Sequence, residues 1–220
     1  MTRLLALDCA AGACSAAVVD AAGVLAAARR VMERGQAEAL MPLIAAVLAD
    51  AGVAARDLDA VAATVGPGSF TGVRIGLAAA RGIALAAGLP TVPVTTLEAV
   101  AEAVGPGPEP LLIVLDAKRN DFYGQWFGSD GAALGAPRAI GVESLWSDRP
   151  AGSTGVRIAG DAAAAVSDAV ASGGVSIRRV GSVGPDAQAV AAVAYRRLAA
   201  GTTGPLTPLY LRAPDVTPPR

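Results

Sequence analysis

The 220-residue chain contains no histidine. That gap excludes Ser-His-Asp and Cys-His nucleophilic chemistry, HExxH metalloproteases and every metal site built on imidazole. Lysine is nearly missing as well. Lys118 is the sole example and the other basic residues are arginines, so a lysine base or Schiff base has one candidate. The two cysteines, Cys9 and Cys14, are too few for a disulfide framework. They read as small buried thiols in a reducing compartment. Aromatics make up 4% and charged residues 17% of the chain. The hydrophobic share of 53% is largely Ala and Val, which excludes a disordered chain and favours close helix packing. Eighteen basic residues face 19 acidic ones, a net charge of −1, so nothing draws the chain to a phosphate backbone on its own. The longest uncharged stretch, residues 82–97, holds Pro90 and Pro93 and is too short to cross a bilayer. The apolar N-terminus carries Asp8 in its middle and has a poor lipobox before Cys14. It reads as a buried strand, and the chain is expected in the cytoplasm with no membrane contact.

What is present reads as alternating strands and helices. Residues 4–7, 14–19 and 24–31 are expected strands, the last two joined by the turn at 20–23. A helix over 37–50 carries the stripe Leu40, Leu43, Ile44, Val47 and Leu48. A strand at 60–65 leads through Gly66-Pro67-Gly68-Ser69-Phe70-Thr71-Gly72 into a helix expected over 73–87. Along it Gly72, Gly76, Ala80, Ala84 and Gly88 form a small-residue ridge that lets another backbone come close. A strand at 91–94 and a helix at 96–104, capped by Thr95 or Thr96, follow. Residues 105–110 form a Gly/Pro linker. The opening device then repeats: Leu-Leu-Ala-Leu-Asp at 4–8 returns as Leu-Ile-Val-Leu-Asp at 112–116, again with a turn and a return strand at 122–127. This is read as an internal duplication. Strands at 156–159 and 175–180, helices at 162–171 and 185–200 and an extended segment at 205–212 complete the pattern, with a Pro-rich tail over 213–220.

Candidate sites follow from this layout. The Gly-rich segment 66–72 sits between a strand and a helix, the context for anion binding. It lacks a Gly-Lys-Ser/Thr run and the spacing of a dinucleotide fingerprint, and a tight turn capped by Ser69 or Thr71 is the simpler expectation. Asp8 and Asp116 end their strands where actin-like ATPases and RNase H-like nucleases place a Mg2+ ligand. Cys9-Ala10 and Ala117-Lys118 follow them, turns poor in the Gly, Ser or Thr that approach phosphate. The Arg pairs 29–30, 178–179 and 196–197 are scattered and read as solvated. The helices at 37–50 and 73–87 suit either packing on their own sheet or association with a partner.

The run Ala63-Thr64-Val65-Gly66-Pro67-Gly68-Ser69-Phe70-Thr71-Gly72-Val73-Arg74-Ile75-Gly76 resembles the hallmark segment of the TsaB (YeaZ) family of tRNA threonylcarbamoyladenosine biosynthesis. Gln36 with Leu40-Met41-Pro42-Leu43, the Thr95-Thr96-Leu97-Glu98 helix start, Leu115-Asp116-Ala117-Lys118-Arg119 and Pro208-Leu209-Tyr210-Leu211-Arg212 are similar to the family in the same order. The resemblance implies an α/β fold of two RNase H-like lobes of the actin/Hsp70/sugar-kinase type, with mixed five-stranded sheets flanked by helices. It divides the chain into a first lobe, 1–105, and a second, 106–220, leaving open whether helix 186–200 returns to the first. It implies a non-catalytic subunit without cofactor or metal that pairs with TsaD and TsaE, meets tRNA only through that complex, and could form a homodimer when alone. The expected partner surface comprises Gln36, Leu40, Leu43, Ile44, Val47, Arg74, Gly76, Leu77, Ala80 and Ala84. Asp8 and Asp116 would be vestiges of a phosphate loop. Where the family often has Thr after the first Asp, this chain has Cys9; where it often has His, Arg34-Gly35 precede Gln36. Both departures argue against nucleotide binding. The competing reading is a small actin-fold phosphotransferase or ATPase using Asp8 and Asp116, with an RNase H-like nuclease third.

Overall fold

The computed structural model describes residues 2–117, 121–171, 174–181 and 184–212. Lys118, Arg119 and the tail at 213–220 lie outside the described residues. The first five strands are β1 (Leu4–Asp8), β2 (Ala13–Asp20), β3 (Gly23–Val31), β4 (Ala60–Thr64) and β5 (Thr91–Val94). They form one sheet in the order β3-β2-β1-β4-β5. β1 pairs antiparallel with β2 and parallel with β4. The central strands are continuous apolar runs because both faces of the sheet are covered.

The second sheet repeats this plan. It comprises β6 (Leu111–Asp116), β7 (Phe122–Phe127), β8 (Arg138–Ile140), β9 (Gly155–Ala159) and β10 (Ser176–Arg179). The order is β10-β9-β6-β7-β8. β6 is antiparallel to β7 and parallel to β9, so each strand of the first sheet has a counterpart in the second. The five-residue echo at 4–8 and 112–116 thus marks a duplication of the whole unit.

The helices are α1 (Gln36–Asp50), α2 (Phe70–Ala87), α3 (Thr96–Val104), α4 (Val142–Ser147), α5 (Ala163–Val170) and α6 (Ala187–Ala199). α1 and α2 cover one face of the first sheet, in a core with Leu5, Leu7, Val18 and Val61. α4 and α5 are the shorter equivalents on the second sheet, around Leu112, Val114, Trp126 and Ile158. The third helix of each unit crosses over. α3, held by a capping box between Thr95 and Glu98, buries Leu97, Val100 and Ala101 against Leu111, Ile113 and Phe127 of the second sheet. α6 returns to the first sheet and buries Ala187, Val190, Ala191 and Ala194 against Leu4, Ala6, Ala62 and Val92. Arg196 of α6 grips Glu102 of α3 with both guanidinium nitrogens, at 2.8 and 2.5 Å. This exchange of helices gives the two units a shared interior.

Several expected boundaries shift. α2 begins at Phe70 rather than Val73, with Ser69 as its cap. α6 begins after Asp186, whose carboxylate accepts from the Gln188 and Ala189 amides, so Asp186 and not Pro185 opens it. The extended segment at 205–212 pairs in neither sheet and lies along the first lobe, with the Leu209 amide donating to the Val65 carbonyl. β8 and α4 were not expected. Both are too short to show a hydrophobic period.

Candidate functional site: a clamped turn and an uncharged helix face

The Gly-Pro-Gly-Ser-Phe-Thr-Gly segment is built to press α2 onto the turn after β1. A Cβ on Gly68 would stand 2.3 Å from the Ala10 carbonyl oxygen, and one on Gly72 2.1 Å from that of Cys9. Only glycine permits so close an approach. The Ser69 amide donates to the Ala10 carbonyl at 2.8 Å, and the Ser69 hydroxyl accepts from the Gly72 amide at 3.2 Å. Gly66 has φ +105 and precedes a cis peptide to Pro67; its carbonyl accepts from the Thr96 amide. The capped tight turn is therefore the form the segment takes. The Ser69 and Gly72 amides that an anion would need are engaged within the fold.

Phe70, at the start of α2, is half exposed. The Arg74 guanidinium lies over its ring, 3.6 Å from the centroid, and donates from Nε to the Tyr210 hydroxyl at 2.9 Å. The Tyr210 ring sits 5.8 Å from that of Phe70. These three side chains bind the C-terminal segment to the motif and remain at the surface. Gln36, Glu38, Ser69, Thr71 and Ile75 line a shallow groove between the starts of α1 and α2.

Asp8 is 1% exposed and sits at the end of β1. Its Oδ1 accepts from the Thr64 hydroxyl at 2.7 Å and the Ala10 amide at 3.1 Å, while its buried Oδ2 has no hydrogen-bond partner. Burial pushes the carboxyl up to about 6, against the lowering effect of those two hydrogen bonds. Across the hairpin, the Ser15 hydroxyl accepts from the Ala187 amide at the start of α6, at 2.9 Å. Asp8 Oδ1 and the Ser15 hydroxyl are thus used as acceptors within the fold, and Asp8 is shut away from solvent. Asp116, by contrast, is exposed, and its amide donates to Asp161 Oδ1. The two strand-end carboxylates are not equivalent.

The structure places most of the expected partner surface inside the fold. Leu40, Ile44, Val47, Gly76, Leu77, Ala80 and Ala84 are all buried in the chain's own interior, and Gln36 and Leu43 are half-buried. Arg74 alone of that set is exposed. The strongest apolar stripe of a surface helix is the one that turns toward its sheet, so the stripe marks the inside. Ala80→Arg would consequently break the fold rather than an interface.

The outward face of α1 carries the unusual feature. On α1 the exposed residues between Glu38 and Asp50 are Met41, Pro42, Ala45, Ala46 and Ala49, none charged. On α2 they include Ala78, Gly82, Leu85 and Ala86 beside the two arginines Arg74 and Arg81, and Leu85 is 86% exposed. A helix facing only water ordinarily places charges there. The readable signal is the uncharged run at 39–49, where an amphipathic helix would alternate. By length and composition alone α2 could also cross a membrane; a third of it is the buried ridge that packs on the sheet.

The fold defines a class: two RNase H-like units with exchanged helices, of the actin/Hsp70/sugar-kinase type. Sequence comparison narrows it. A family model described as TsaD, tRNA N6-adenosine threonylcarbamoyltransferase, matches residues 29–145. The TsaB protein of Escherichia coli is 34% identical over 149 residues, 63% of this chain and 64% of that protein. The TsaB protein of Haemophilus influenzae is 37% identical over 122 residues, 54% of this chain and 51% of that one. The matched part thus spans half to two thirds of these relatives. The crystal structure of YeaZ from Pseudomonas aeruginosa superposes with a TM-score of 0.83 at 27% identity, covering 96% of this chain and all of that one. The chain belongs to the TsaB (YeaZ) family.

Proposed function

We propose that this chain is an accessory subunit of tRNA threonylcarbamoyladenosine synthesis that works by docking. Its partner is a TsaD-type threonylcarbamoyltransferase, with TsaE joining the assembly and tRNA meeting the chain only through it. The first lobe is the docking unit. The observation that carries this reading is the outward face of α1, uncharged from residue 39 to 49, beside the exposed Leu85 of α2, in a chain of this family. Met41 and Leu85 are its large apolar members, and the Phe70–Arg74–Tyr210 cluster supplies the aromatic and guanidinium groups that dominate binding energy at interfaces. Met41, Leu85 and Arg74 thus replace the buried stripe as the residues that meet the partner. Internal use of Asp8 and Ser15 supports a role without catalysis of its own, in the cytoplasm where tRNA is modified. Alone, the same face can pair with itself.

Co-expression with the cognate TsaD-type protein, followed by light scattering, tests the proposal. A single species of combined mass is expected, and the chain alone should not turn over Mg-ATP. Separate elution of the two proteins, or ATP turnover by the chain alone, would overturn it.

A further inference from the structure

Cys9 and Cys14 close the turn between β1 and β2. The antiparallel register pairs Leu4 with Val19 and Asp8 with Ser15, and the next pair in that series is Cys9 with Cys14. Both are free thiols, 1% and 0% exposed, in the core beneath α1 and α2. Their sulfurs stand 2.8 Å apart, within about 0.8 Å of the ~2.05 Å length of a disulfide bond. The Gln36 carbonyl lies 4.0 Å from Cys14 Sγ. The docking role uses neither thiol.

We propose that this pair is a modification site, an intrachain Cys9–Cys14 disulfide formed by a peroxide and reopened by a small thiol. One thiol loses its proton and attacks a peroxide oxygen; the S–O bond forms, the O–O bond breaks, and the departing hydroxide leaves as water. The second sulfur, deprotonated, attacks the sulfenic sulfur; the S–S bond forms and the hydroxyl departs as a second water. Two thiols are oxidised by two electrons and one peroxide is reduced by two. Burial raises both thiols above their ordinary value, and the hydrogen bond from Cys9 offsets this in part at Cys14, so Cys14 is the first nucleophile and Cys9 the resolving sulfur. The first step is slow beside that of an exposed thiol; the second has its partner already in place. Closure tightens the turn on which Gly72 and Gly76 rest.

The test uses the full wild-type chain, treated with excess hydrogen peroxide, then unfolded and alkylated. Intact mass should fall by two hydrogens, no alkyl group should add, and digestion should yield one Cys9–Cys14 peptide that dithiothreitol separates. The cross-linked chain should keep the urea midpoint of the reduced chain or exceed it. Cys9→Ser and Cys14→Ser should give no internal bridge. Two alkylated thiols after treatment, sulfurs carrying oxygen instead of a bridge, or a bridged chain with a lowered midpoint would each overturn the proposal.

Discussion

The two lobes have matching sheets and unlike helices. In the first, α1 and α2 run for 15 and 18 residues, and the outer face of α1 is uncharged between Glu38 and Asp50. In the second, α4 and α5 shrink to 6 and 8 residues. The strand-end carboxylates diverge in the same way: Asp8 is buried and tied to Thr64, whereas Asp116 is exposed. A duplicated frame thus keeps its strand order, fixed by backbone pairing, while helix length and loop chemistry change freely. The surface grew where the helices are long.

The largest expected effect breaks the clamp that holds α2. Gly72→Val forces a side chain onto the Cys9 carbonyl, and a loss of at least about 3 kcal/mol in urea-unfolding stability is predicted. Gly76→Ala is the matched control, because its added Cβ would meet nothing nearer than 3.6 Å. In the second lobe Gly160→Ala should be comparably damaging, with φ +112 and a Cβ 1.9 Å from the Val114 carbonyl oxygen. Equal tolerance at Gly72 and Gly76 would show that the close approach is not needed.

Next comes the contrast between carboxylates. The folded chain keeps a proton on Asp8 between about pH 4 and 6, where the unfolded chain has released it. Raising the pH through that window therefore removes stability, by up to about 3 kcal/mol at neutrality. Unfolding of the wild type and Asp8→Asn at several pH values should show the wild type losing ground to the variant across the window. A constant difference would mean an ordinary carboxylate.

The surface contrast follows. Leu85→Glu is expected to weaken binding to the TsaD-type partner about 10-fold or more. Leu134→Glu, at 53% exposure on the second lobe, should leave it unchanged. The smallest effect belongs to Arg196→Ala. Its guanidinium is largely solvent-exposed though Glu102 is partly covered, so a thermal scan should register a loss of about 1 kcal/mol or less.

Much of this was legible in the residues. Continuous apolar runs mark β1, β4 and β6, and the stripe from Leu40 to Leu48 marks α1, because burial on one or both faces writes its period into the chain. α2 begins three residues ahead of the expected start, with Gly72 inside it, where its lack of a side chain serves contact with Cys9. The exchange of α3 and α6 depends on contacts far apart in sequence, which no local pattern carries. The stripe from Leu40 to Val47 points inward, because the apolar side of a surface helix covers its own sheet. The legible mark of the proposed docking face is the missing charge between Glu38 and Asp50.

The most direct measurement is calorimetric titration of the purified TsaD-type partner with the wild-type chain and with a Met41→Glu/Leu85→Glu double variant. The wild type should bind, and the double variant should bind at least about 10-fold more weakly with its urea midpoint unchanged. Equal affinity of the two chains would contradict the account.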